Sequence, residues 1–171
     1  MTYLQKPPEL SKSEVLDSVR VYYGLEGTLY TLPGYRDQNF LLESPEGEKH
    51  VVKVSSPDEA DEILEFETKM ITRLSKDTDG LIPSVIPSTS GNSLVTHQDH
   101  QGCHHRLRIL EFLPGTLLAE INPRSNVLLT NLGERMAELG SVLGAYPDHP
   151  PPRIHFDWAL GEAGNIMEQS L

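Results

Sequence analysis

The chain has 171 residues, 37% of them apolar and 23% charged, a balance that suits a water-soluble globular fold with a real core. Fourteen basic residues stand against 25 acidic ones, a net charge of −11, so a polyphosphate partner such as nucleic acid is disfavoured. No apolar run approaches the ~18 to 20 residues that a membrane span requires. The first ten residues carry Lys6 and two prolines but no apolar centre, unlike a secretory leader. The single cysteine, Cys103, excludes an internal disulfide and suits a reducing compartment, so the expected location is the cytoplasm.

In chain order, Ser11 with Glu14 reads as a capping box that opens a helix with Val15, Leu16, Val19, Tyr22 and Tyr23 on its apolar side; Gly24 and Gly27 close it. Residues 28–33 and 39–43 read as strands around a turn, and Pro45-Glu46-Gly47-Glu48 is a second turn before a third strand. A helix starting near Pro57 or Asp58 carries Ile63, Leu64, Phe66, Met70, Ile71 and Leu74, and fades by Gly80. Residues 81–93 are rich in Pro, Ser and Gly and read as a connecting loop. Strands at 94–96 and 107–113 follow, with a histidine-rich tip between them. Beyond Pro114-Gly115 the pattern is helical: a short piece at 117–121, then an apolar stripe through Leu128, Leu132, Met136, Leu139 and Leu143, stopped by the prolines at 147–152. The chain ends in what reads as helix, so an incomplete structural unit is expected. The fold expected is α+β: a five-stranded antiparallel sheet with one packed helix over residues 1–113, then the first helices of a second part over 114–171.

Lys53 is a lone charge in the apolar run His50-Val51-Val52-Lys53-Val54. Strand alternation sends Val52 and Val54 to one face and Val51 and Lys53 to the other. A lysine held there needs an anion, because burying an unpaired ammonium is costly. Glu67 follows in the next helix, and a strand lysine with a helix glutamate is the pair with which kinases grip the α- and β-phosphates of ATP. The plain alternative is a strand-edge lysine lying along apolar surface with its charge in water.

His97, Asp99, His100, Cys103, His104 and His105 fall within nine residues. Imidazole and thiolate are good zinc ligands, but H-x-x-H-x-x-C-H-H matches no structural zinc spacing, and no second ligand pair stands elsewhere. A solvated hairpin tip is the simpler reading, with metal binding kept as an alternative.

The run Leu32-Pro33-Gly34-Tyr35-Arg36-Asp37-Gln38-Asn39-Phe40, the run Gly47-Glu48-Lys49-His50-Val51-Val52-Lys53-Val54, Glu67 in its helix and Leu107-Arg108-Ile109-Leu110-Glu111-Phe112-Leu113-Pro114-Gly115 together resemble the aminoglycoside phosphotransferase (choline-kinase-like) family, in the branch of the hydroxylysine kinases and of the kinase-like domains fused ahead of some class III aminotransferases. The resemblance implies that Gly34, Tyr35, Arg36, Asp37, Gln38 and Asn39 form the turn over the phosphates. It implies that Lys53 contacts the α- and β-phosphates and that Glu67 holds it. Glu111, Phe112 and Leu113 would be the hinge whose backbone meets the adenine edge. The cofactor implied is ATP with Mg²⁺, the partners a nucleotide and a small hydroxyl-bearing substrate.

The catalytic loop H-x-D-x-x-x-x-N and a second, metal-holding aspartate are not found in this sequence. His155-Phe156-Asp157 has Glu162 where the motif needs Asn, and His97-Gln98-Asp99 has His104 there. No catalytic residue and no metal ligand is therefore assigned. The expectation is the nucleotide-binding half of a small-molecule kinase, not competent alone, with apolar surface left open to self-association or to a missing C-terminal half. The competing expectations are a non-catalytic nucleotide-binding or accessory domain and, less favoured, a metal-binding protein.

Overall fold

The computed structural model describes residues 7–151. Helix α1 (Lys12–Tyr23) leads into strands β1 (Thr28–Leu32), β2 (Gln38–Glu43) and β3 (Lys49–Val54), then helix α2 (Asp61–Asp77). Strands β4 (Val85–Ile86), β5 (Val95–Gln98) and β6 (His104–Glu111) complete the sheet; a 3-10 turn (Leu118–Glu120) and helix α3 (Asn126–Gly144) follow. All the strand pairings are antiparallel, in the order β1-β2-β3-β6-β4, with β5 also paired to β6. His155-Phe156-Asp157 and the expected terminal helix lie outside the described residues.

The sheet has six strands where the sequence pattern gives five. The additional strand is the two-residue β4, inside the Pro- and Ser-rich stretch expected to be loop. Val85 and Ile86, both β-branched, pair with Leu110 and Ile109 of β6, and the run between Pro83 and Pro87 is too short for its sequence to show a strand period. β6 also begins three residues earlier than expected, which moves His104 and His105 from the hairpin tip into the ladder.

α1 forms for reasons legible in its residues. Ser11 Oγ accepts the N–H of Glu14, and the Glu14 carboxylate accepts the N–H of Ser11 at 2.9 Å, so the capping box is complete. Gly24 ends the helix at φ +66°, a left-handed conformation that glycine adopts without a Cβ penalty. The buried side of α1, Val15, Val19 and Tyr23, packs on one face of the sheet. That face is built from register partners: Phe40 lies beside Val52, Val52 beside Ile109, and Val54 beside Leu107. All five are buried almost completely, and emptying the centre by Phe40→Ala would cost about 3–5 kcal/mol.

α2 covers the opposite face with Ile63, Leu64, Thr68 and Leu74. It begins at Asp61, later than Pro57 or Asp58, because Ser56 first closes a turn. Its carbonyl accepts the Glu59 N–H and its hydroxyl accepts the Asp58 N–H. α3 is capped by Ser125, whose hydroxyl accepts the Leu128 N–H at 3.1 Å. It buries none of its residues, and Val127, Leu129, Leu132, Met136 and Leu143 are exposed, in keeping with the apolar surface expected there. No helix among the described residues is long and apolar enough to cross a membrane.

Candidate functional site

The site develops on the α2 side of the sheet. Cross-strand register places Asn39, Lys53 and Arg108 in one row on adjacent strands β2, β3 and β6. Val52 and Val54 turn to the α1 core with no exposure, and Lys53 turns away from it, as alternation requires. Lys53 Nζ pairs with Asp37 Oδ2 at 3.1 Å, and each side chain is 24% exposed. The ammonium therefore meets its anion in a partly desolvated setting, where a charge pair is stronger than on open surface.

Glu67 is positioned by a different cation from the one expected. Its Oε2 accepts a 2.9 Å hydrogen bond from Arg108 Nη2, while Arg108 Nη1 donates to Thr68 Oγ1 at 3.0 Å. Arg108 is buried and ties β6 to α2. Among the described residues Lys53 thus pairs with Asp37 and Glu67 with Arg108, and the expected pair of Lys53 with Glu67 is not formed. Glu65, two residues away on the same helix, is exposed. Arg108 was missed by sequence reasoning, although it shows the signal that singled out Lys53: a charge within the apolar run Leu107-Arg108-Ile109-Leu110.

The turn before β2 is folded tightly. A Cβ on Gly34 would run into the Asp37 backbone oxygen and Asn39 Nδ2, so only glycine fits there. Asn39 Nδ2 donates to the Pro33 carbonyl at 3.1 Å, which fixes the amide orientation and leaves Oδ1 a buried acceptor without a hydrogen bond. Arg36 pairs with Glu59 at 3.1 Å, anchoring the turn to the segment before α2. Tyr35 is exposed. Gln38 turns to the α1 face, where its amide donates to the Leu10 carbonyl at 2.8 Å and accepts the Leu10 N–H at 3.1 Å. Its side chain tethers the N-terminal segment and does not face Lys53.

At the hinge, the Glu111 N–H donates to the Ser84 carbonyl at 2.9 Å, which occupies that donor. Phe112 and Leu113 lie beyond the ladder, with Lys49 Nζ 6.0 Å over the Phe112 ring. A cavity of about 750 Å³ opens beside Glu67 between α2 and the end of α3, walled by Phe66, Met70, Leu143 and Tyr146. The Phe66 and Tyr146 rings meet edge to face at 5.9 Å across it.

The histidines disperse. His97 Nδ1 lies 2.8 Å from Ser18 Oγ of α1, His105 Nε2 lies 2.9 Å from Asp99 Oδ2, and His100 Nε2 lies 3.3 Å from Glu14 Oε1. Cys103 is exposed. Among the described residues no group of three or more His, Cys, Asp or Glu side chains could hold a metal ion, so this cluster joins the β5–β6 hairpin to α1. Burial, with the neighbouring His105, lowers the His97 pKa, and the His105 hydrogen bond lowers that of Asp99.

The phosphotransferase enzyme family matches residues 31–170. The chain belongs to this phosphotransferase family. Hydroxylysine kinase of Danio rerio is 31% identical over 171 aligned residues, covering 94% of this chain and 47% of that protein. Among solved structures, a microcompartment-associated aminopropanol kinase superposes with a TM-score of 0.66 at 20% identity, covering 90% of this chain and 48% of that one. Amicoumacin kinase, in complex with AMP-PNP, Ca²⁺ and Ami, superposes with a TM-score of 0.71 at 16% identity, covering 92% and 48%. The fold is kinase-like, and the chain spans about half the length of the relatives it matches.

Proposed function

We propose that this chain is the nucleotide-binding half of an ATP-dependent small-molecule phosphotransferase, acting in the cytoplasm. The observation that carries the reading is Lys53, a mid-sheet lysine beneath a glycine turn, already holding an anionic oxygen 3.1 Å from its Nζ. A phosphate oxygen fits that position by the same charge-assisted bond. Gly34 to Asn39 would cover the phosphates, and Phe112 and Leu113 would offer their backbone to the adenine edge. Glu67, held by Arg108, would fix the position of α2 beside the site.

ATP acts with Mg²⁺ in such enzymes, but no metal-binding cluster fits it among the described residues, so none of them is assigned a part in its chemistry. Lys53 would neutralise phosphate charge. A base and metal ligands from outside the described residues would complete in-line transfer to a substrate hydroxyl. The relatives named for hydroxylysine and aminopropanol favour an amino alcohol as acceptor over an aminoglycoside.

Calorimetric titration with Mg²⁺ and AMP-PNP tests the reading. The chain should bind, and Lys53→Ala should lose about tenfold or more in affinity. Unchanged affinity in Lys53→Ala would refute the assignment of Lys53. Binding with no phosphoryl transfer by the whole native protein would favour the second reading, a nucleotide-binding accessory domain.

A further inference from the structure

We propose that Asp37 is a built-in competitor for the anion that Lys53 binds, so that nucleotide phosphate enters by displacing a carboxylate of the protein's own turn. This inference rests on the nucleotide reading above. Asp37 Oδ2 sits 3.1 Å from Lys53 Nζ, at charge-assisted hydrogen-bond distance, where a phosphate oxygen would have to go. A second anion cannot share the ammonium at that distance without facing the carboxylate at close range, and the two repel.

The turn that delivers Asp37 is held in this position by bonds of its own. Arg36 is drawn to Glu59 at 3.1 Å, Asn39 Nδ2 is bonded to Pro33, and the Gly34 backbone is packed against that of Asp37. Asp37 immediately precedes Gln38, whose register partner is Val54, next to Lys53 on β3. The side chain therefore reaches Lys53 from the neighbouring strand's first turn. The free site is closed by internal ion pairs, and its apparent affinity is the intrinsic one multiplied by the fraction of molecules in which Asp37 has let go. A ligand carrying several negative charges can displace one carboxylate, whereas an uncharged nucleoside has nothing to offer Lys53. The pair thus selects for phosphorylated ligands as well as weakening them all.

The test compares AMP-PNP and inorganic tripolyphosphate binding to the wild type, Asp37→Asn, Glu48→Gln and Lys53→Ala. Asp37→Asn keeps the side-chain shape and removes the charge. Glu48→Gln removes one charge next to Lys49, at the opposite end of the β2–β3 hairpin, as a control for net charge. Asp37→Asn should bind both probes roughly three- to tenfold more tightly, with Glu48→Gln unchanged. Equal or weaker binding in Asp37→Asn overturns the proposal, and so does an equal gain in Glu48→Gln. Without any ligand, the rate at which an amine-directed acylating reagent modifies Lys53, read by mass spectrometry, should rise in Asp37→Asn only. An unchanged rate overturns the competitor even if nucleotide binds. A raised rate with no nucleotide binding in any variant overturns the nucleotide reading and leaves the ion pair standing.

Discussion

Arg108 and Glu67 meet at 2.9 Å between β6 and α2, with the arginine side chain 5% exposed and the glutamate 27% exposed. The pair is asymmetric, and its two halves cannot be removed at equal cost. Glu67→Ala leaves a buried guanidinium that water cannot reach, whereas Arg108→Met fills the space and leaves a carboxylate that can rehydrate. Loss of the glutamate should cost about 3 kcal/mol and loss of the arginine about 1 kcal/mol. Urea unfolding of both variants checks the order; a larger cost for Arg108→Met would contradict it.

Residues with local rules were legible in the sequence. The Ser11 and Glu14 box needs only a three-residue spacing, and the inward and outward alternation about Lys53 needs only a strand. The partner of each charge was not legible. Asp37 and Glu67 both stand near Lys53 in sequence, and only the register of β2, β3 and β6 decides which carboxylate reaches it. Applying the lone-charge argument to Arg108 as well would have found the competing cation. β4 has two residues, too few to show any period, so nothing in the local pattern could separate it from loop.

The histidine contacts between α1 and the β5–β6 hairpin should loosen in acid. The folded pKa of His97 is lowered by burial, with His105 and His100 also lowering it and Glu14 and Asp99 opposing. The unfolded chain therefore binds the extra proton first, so stability is full above about pH 6.5 and falls as pH drops toward the lowered folded value. Asp99, lowered by its bond to His105, adds a second loss only below its unfolded value of 3.8. Melting temperature against pH should show the first step in the wild type and a flatter profile in His97→Gln. An identical profile in the variant would remove His97 from the account.

Gly34 is confined by the Asp37 backbone and the Asn39 amide. Gly34→Ala has to open the turn, at about 1–3 kcal/mol. The cost should appear in urea unfolding together with weaker AMP-PNP binding. A variant as stable as the wild type would show that the turn is looser than its geometry requires.

The exposed apolar face of α3 gives a concentration-dependent prediction. Val127 is 79% and Met136 66% exposed, and surface of this kind favours association. Sedimentation velocity should show a heavier species growing with concentration, and Met136→Lys should reduce it. A monomer at every concentration would contradict the prediction.

Hydrogen exchange with and without AMP-PNP would locate the bound nucleotide, because it reports the ligand's position without needing turnover. Exchange should slow in residues 34–39, 50–54 and 111–113 if Lys53 and its turn hold the phosphates, with the rest of the sheet little changed. Exchange unchanged in those three segments at saturating ligand, or slowed only along the cavity between α2 and α3, would contradict that placement.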